Sequence, residues 1–517
     1  MLAAVACALY AAPVFDAGWY YDDWRLFAAM QDAGGSWWWE LLAACQDKEP
    51  VGRIAGCVYH ATTYMVLGDH VKLYHVLSIV LLTISSGLLY LLLVRCRLPW
   101  IAALAVALVW IVYPGSDATR LWPTSVGAQY ILSAYMGGVL LGIAGLRSRG
   151  ARAVALHVAS YALLVLMALT YEMVLPLIAL NAVLYLAAAG RSRAVLRRGA
   201  GDLVLALCFV AYRALAPVKE SNDIVAERTP SEWVDRAGTL LEGAWESWHT
   251  LFVTSRLAVV LVILGGAVVV VALATRPAER RPIAAWLGVA GLAVVFALAG
   301  VASILPANDY YVLVTTGTFN RLNAAAAPAY CLLFIALLAL LFHGLAPWLS
   351  RRVALAVVTL LGAVVVVSQV PVARDSQEAW AQSWREQTRA INALARLLPE
   401  AGVPRNASIV AFGIPVWERG WVPVFASDWD LRGAIDYSTD IDPPQAYSFI
   451  QDQAKCGPAG VTFGGAALIR YRGPSPLWFV NPALWQARPV QSRAQCEQLV
   501  ATWGHAPFWG TTVTVAR

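Results

Sequence analysis

The chain has 517 residues, 59% of them hydrophobic and only 14% charged, with a formal net charge of +6. A soluble domain carries roughly 25% charged residues, so this composition, with a mean hydropathy of +0.61, excludes an ordinary water-soluble enzyme. The positive charge lies in short arginine clusters between apolar runs and not along one basic stripe, which argues against a nucleic-acid partner.

Eleven apolar segments predict a polytopic α-helical membrane protein of about 11 transmembrane helices: 1–15, 72–94, 99–113, 126–146, 153–170, 173–189, 201–217, 254–275, 283–305, 324–342 and 353–371. A span needs about 20 residues, so several are near the lower limit. The long run 153–189 divides at Tyr171-Glu172, because a glutamate in mid-bilayer is costly. Alternate loops carry the arginines: Arg95 and Arg97; Arg147, Arg149 and Arg152; Arg191, Arg193, Arg197 and Arg198; Arg276, Arg280 and Arg281; Arg351 and Arg352. By the positive-inside bias the N-terminus is expected in the cytoplasm of a plasma (inner) membrane protein, with everything after Val372 outside. The first segment has no basic flank and no small-residue cleavage site before Asp16, so it reads as retained.

Two long outer loops follow from this topology. Residues 16–71 contain Trp37-Trp38-Trp39-Glu40-Leu41-Leu42, the pattern of an interfacial amphipathic helix. Residues 218–253 combine charge (Lys219, Glu220, Asp223, Glu227, Arg228) with Trp233, Trp245 and Trp248, and predict a helical cap. The transmembrane portion is taken as 1–371. Residues 372–517 read as an extracytoplasmic soluble domain, α/β or α+β: a helix over 376–398, breakers at Pro399, Gly402 and Pro404, and strand-like runs at 407–412 and 511–515.

Of eight cysteines, Cys7, Cys96, Cys208 and Cys331 fall in membrane or cytoplasmic positions. Cys45, Cys57, Cys456 and Cys496 fall outside, and local grouping suggests Cys45–Cys57 and Cys456–Cys496, although four cysteines allow three pairings. No Cys/His spacing suits zinc. Neither a cofactor nor a divalent metal is indicated, and glycine-rich loops for a soluble nucleotide are absent.

The first outer loop opens Trp19-Tyr20-Tyr21-Asp22-Asp23-Trp24-Arg25. A carboxylate in a partly desolvated pocket makes a general base, and a second acid beside it raises its proton affinity further. Taken alone, an acidic pair at a helix end is more often a cap. The same loop continues Lys48-Glu49-Pro50-Val51-Gly52-Arg53. An N-terminal span, an acidic pair opening the first outer loop, an interfacial helix and a Gly-Arg motif together resemble the GT-C superfamily of membrane glycosyltransferases, over roughly residues 1–371.

That resemblance implies inverting transfer of a sugar from a polyprenyl-phosphate lipid donor to a glycan, lipid or protein acceptor outside the cytoplasm. Asp22 would act as base, with Asp23 supporting or replacing it. Arg53 and Arg321 are candidates for the donor phosphate, since a guanidinium holds a developing phosphate charge in bidentate fashion; Arg120 is a weaker one. Arg53 serves equally well as a headgroup anchor. Glu172, between two apolar helices, is a candidate for binding acceptor or orienting arginines. Tyr20, Trp24 and Trp122 would stack on sugar or simply line the interface. Two other readings stay open: a transporter or flippase of a lipid-linked substrate, and a non-catalytic scaffold whose outer domain binds cell-wall glycan. Convergence of Asp22, Arg53, Glu172 and Arg321 on one pocket separates the first reading from the last.

Overall fold

Helices dominate, and a small sheet domain sits at one end of the bundle. The computed structural model describes residues 1–47, 53–215, 228–251, 255–275, 277–307, 309, 311–449, 454–463 and 468–504. Lys48 to Gly52, the charged stretch 219–227, Arg276 and the strand-like run 511–515 lie outside the described residues.

Among the described residues, six helices are long and apolar enough to cross a bilayer: Val71–Arg95, Pro123–Leu146, Gly150–Ala168, Arg280–Ala302, Ala327–Leu345 and the first part of Arg351–Glu400. A seventh span results if the bent pair Glu172–Ala179 and Asn181–Ala189, angled at 46°, is counted as one. Of the other four expected segments, three differ for identifiable reasons. Leu2–Tyr10 has nine residues, about 14 Å of helix against about 30 Å of hydrocarbon. Trp100–Val112 has thirteen, stopped by Pro114. Arg193–Leu215 carries Arg193, Arg197, Arg198 and Asp202 in its first half. The fourth, Ser255–Thr275, is helical over 21 residues; the side chains of 255–264 lie outside the described residues, and the expected span there is neither borne out nor contradicted.

The expected division at residue 371 falls inside a continuous helix. Arg351–Glu400 runs for 50 residues despite Pro371, about 75 Å, so it leaves the membrane zone and becomes the spine of the sheet domain. Ser350 caps its start. Around this spine, strands pair in the order Ala446–Ser448, Ser408–Ala411, Leu477–Asn481, Gln486–Pro489; the first three are parallel and the last is antiparallel. A hairpin (Trp417–Glu418 with Val422–Pro423) and a three-stranded antiparallel sheet (Ala454–Cys456, Gly460–Phe463, Leu468–Arg470) complete it. The Cys456–Cys496 bridge ties that sheet to the helix Arg493–Trp503. The Cys45–Cys57 pairing does not form; neither cysteine is disulfide-bonded, and Cys57 is buried.

The sheet domain is not built from the C-terminal segment alone. Trp19, Trp24, Leu26, Phe27 and Met30 of the first outer loop share one core with Ile409, Val424, Phe425, Leu431 and Ile435. The helices Asp22–Asp32 and Asp428–Ser438 touch backbone to backbone, since a Cβ at Gly433 would lie 2.4 Å from the Arg25 nitrogen. The C-terminal domain thereby covers the acidic pair. Trp38 and Trp39 stay exposed on the helix Trp37–Asp47, as the interfacial reading requires. The outer-loop helix Pro230–His249 forms with a Thr229–Glu232 capping box.

Candidate functional site

Tyr21 sets the geometry of the acidic pair. It precedes the helix with φ 52° and ψ −114°, a costly conformation for a bulky residue. The kink turns the two neighbouring carboxylates into different surroundings. Asp23 is fully buried, and its oxygens accept the backbone N–H groups of Tyr20 at 2.8 Å and Thr124 at 2.9 Å. Burial pushes its pKa up to about 8, against the pull of those two donors. Asp22 is half-buried and accepts the indole N–H of Trp429, from the sheet domain, at 3.0 Å. Of the two, Asp22 is the one with access to a ligand.

From Asp22 a run of contacts leads to Arg321 and on to Tyr311. The Trp429 ring lies 5.4 Å from Tyr21, and Tyr21 lies 5.6 Å from Trp122. Arg321 stacks on Trp122 at 4.5 Å and approaches Phe319 at 5.8 Å. Phe319 meets Tyr311 at 6.3 Å. Burial raises the Tyr311 pKa, and the charges of Arg321, Arg53 and Asp22 all act on it, so one phenol lies within electrostatic range of all three groups. Arg53 stacks on Tyr171 at 4.5 Å and holds Glu172 in a bidentate pair, at 2.6 and 3.3 Å.

The two arginines are not equivalent. Arg53 is matched by Glu172, while Arg321 has no ion pair among the described residues and its Nη1 is buried without a hydrogen-bond partner. Such a cationic donor is expensive to leave open and suits an anion. The indole nitrogen of Trp122 beneath it is likewise buried and unpartnered. Local structure explains why Arg321 is left open. It lies in a 3-10 helix, Thr318–Asn323, where residues three apart eclipse. Asn320 and Asn323 therefore face together and bind the 114–118 segment: Asn320 reaches Asp117 and the Ala118 nitrogen, and Asn323 reaches the Gly115 carbonyl at 3.0 Å. Ser376 of the long helix donates to the same Asp117. Gly317 (φ 71°) precedes this turn, and a Cβ there would lie 2.2 Å from the Gly420 carbonyl oxygen, so the hairpin of the sheet domain rests directly on the Arg321 loop.

The remaining sequence candidates serve as scaffold. Arg120 is buried and gives its terminal nitrogens to the carbonyls of Trp110, Ile111 and Tyr113 and to the Tyr10 hydroxyl, capping the short helix Trp100–Val112. Tyr20 donates to the Trp380 carbonyl at 2.9 Å. Trp24 donates to Gln387 at 2.5 Å and stacks on Trp384. All three are fixed inward. Sequence reasoning missed Trp429 and Tyr311. Trp429 is 407 residues from its partner Asp22, beyond any spacing rule; Tyr311 stood in a polar loop whose register nothing local announced.

Below this cluster lies an apolar cavity of about 160 Å3, lined by Leu92, Met136, Leu177, Leu184, Phe296 and Ala329 among others. Ala325, also in its wall, is one turn beyond Arg321. Among the described residues no three His, Cys, Asp or Glu side chains gather as a metal site. Comparison with known proteins finds no family model and no curated protein that matches the chain.

Proposed function

We propose that the protein is a membrane glycosyltransferase that moves a sugar from a polyprenyl-phosphate donor to an extracytoplasmic glycan, lipid or protein acceptor. The observation that carries this reading is the grouping of a half-buried carboxylate, Asp22, and an unmatched guanidinium, Arg321, around one phenol beneath a soluble domain. In this reading Arg321 and the Trp122 indole hold the donor phosphate, whose charge grows as the glycosidic bond to it breaks. Asp22 takes the proton of the acceptor hydroxyl as that oxygen attacks the anomeric carbon from the opposite face, giving inversion. The Trp429 contact fixes the carboxylate, and Glu172 holds Arg53 as a second positive group at the rim. The apolar cavity, whose wall runs from Ala325 to Cys96 and Leu98, suits a stretch of the hydrocarbon of a lipid donor. Arginine placement orients the sheet domain away from the cytoplasm.

The test uses purified protein in detergent with radiolabelled polyprenyl-phosphate sugars. Asp22→Asn should lower the transfer rate by about 100- to 10,000-fold with melting temperature unchanged; wild-type rates in that variant reject the base assignment. One observation favours the second reading, a transporter or flippase: the break at Leu180 within 172–189, since discontinuous helices line transport sites. A new glycosidic bond in the product decides for transfer, and an unchanged lipid moved across a vesicle decides for transport.

A further inference from the structure

At the far end of the spine helix the sheet domain carries a cleft that the transfer chemistry does not use. It offers about 510 Å3 of open space, lined by Leu397, Glu400, Trp485, Gln486 and Arg488. Trp485 is 47% exposed and stands in the left-handed region, at φ 53° and ψ 46°. A bulky residue seldom accepts that conformation, and an exposed indole gains little from burial that would offset it. Strain held in place by its surroundings is a mark of functional surface. The surroundings here are specific: Asn481 caps the turn that ends at Trp485, and the indole N–H donates to Glu400 Oε2 at 3.1 Å. The ring is therefore held at its N–H edge while about half of it stays exposed. Glu400 keeps a second carboxylate oxygen, and Gln486 and Arg488 stand exposed on the adjoining edge strand.

We infer that this cleft is a carbohydrate-binding site, in which the Trp485 face receives the C–H face of a pyranose or furanose ring and Glu400, Gln486 and Arg488 bind its hydroxyls. A sugar is two-sided, with an apolar C–H face suited to the negative face of an aromatic ring and hydroxyls that need both acceptors and donors. The cleft supplies a rigid ring, one carboxylate, one amide and one guanidinium. It presents too little apolar surface to bind a hydrophobic ligand. Twenty residues of unbroken helix separate Glu400 from Trp380, which packs on Tyr20 beside the acidic pair. That is about 30 Å, several sugar units, so the cleft would hold a glycan chain at a distance from Asp22. The inference does not depend on the glycosyltransferase reading.

The full chain in detergent is titrated with hexasaccharides of glucose, mannose and arabinose, followed by saturation-transfer NMR. At least one should bind saturably. Trp485→Asn removes the ring while keeping a residue that tolerates the left-handed region, and it should weaken binding by about tenfold or more; Trp485→Phe should retain most of it. Asp22→Asn should bind as the wild type does, which separates this site from the transfer site. Absence of binding by all three sugars, or equal binding by wild type and Trp485→Asn, overturns the inference. So does a change of oligomeric state in Trp485→Asn, which would assign the ring to a contact between copies.

Discussion

Two buried polar clusters, at opposite ends of the same bundle, are built on different principles. At the arginine-rich end, Arg198 and Asp202 pair at 3.1 Å with side chains 3% and 0% exposed. Asn181 and Tyr185 donate to the second Asp202 oxygen at 2.8 and 2.7 Å, Ser160 accepts from Arg198 at 2.7 Å, and Tyr161 lies 3.7 Å under the guanidinium. This cluster binds the helices Gly150–Ala168, Asn181–Ala189 and Arg193–Leu215 together. At the sheet-bearing end, Asp22 is half-buried and bonded by Trp429, and Arg321 keeps a buried donor without a partner. Charge in an apolar setting is thus not by itself a sign of chemistry. A closed network holds helices together, whereas an open valence calls for a ligand.

The largest expected effect breaks the closed cluster. Arg198→Ala leaves Asp202 buried without its counter-charge and should cost about 3–5 kcal/mol, seen as a large fall in melting temperature and yield. A melting temperature equal to the wild type would show that the network is not holding the helices. Next comes the open cluster. Arg321→Gln should slow transfer by about 100- to 1000-fold while melting is unchanged; the reverse pattern would make Arg321 scaffold and erase the contrast drawn above.

The smallest effect sharpens the comparison within the acidic pair itself. Asp23→Ala leaves the Tyr20 and Thr124 N–H groups without an acceptor and should cost about 1–3 kcal/mol. The cost depends on pH in a definite direction. Folded Asp23 holds its proton up to about 8, against a usual value of 3.8, so the unfolded chain releases that proton first as pH rises. Asp23 therefore contributes less stability as pH climbs from about 4 to 8. The melting gap between wild type and Asp23→Ala should be widest near the acid end and narrow toward pH 8. A gap that widens instead would mean that the two N–H donors keep Asp23 ionised.

The sequence by itself determined the membrane class and the limits of most helices, and it offered Cys456–Cys496 as one of several pairings. Hydropathy, breakers such as Pro114 and Gly190, and local cysteine spacing are properties of short stretches, and physics acts on them locally. It also singled out Asp22, Arg53, Glu172 and Arg321, because charge beside apolar runs stands out in any reading. It overcounted long spans where apolar runs were short or interrupted by charge, as in Leu2–Tyr10 and Arg193–Leu215. What tertiary structure alone decided was the partner of each group. Trp429 reaches Asp22 from the other end of the chain, Glu172 takes up Arg53, and Asn320 and Asn323 turn Arg321 loose. Arg120, with the same charge as Arg321, gives both terminal nitrogens to three backbone carbonyls and a tyrosine hydroxyl and keeps only its Nε without a partner. A side chain's role follows from whether its hydrogen-bonding capacity is already met, and that depends on distant backbone brought near by folding.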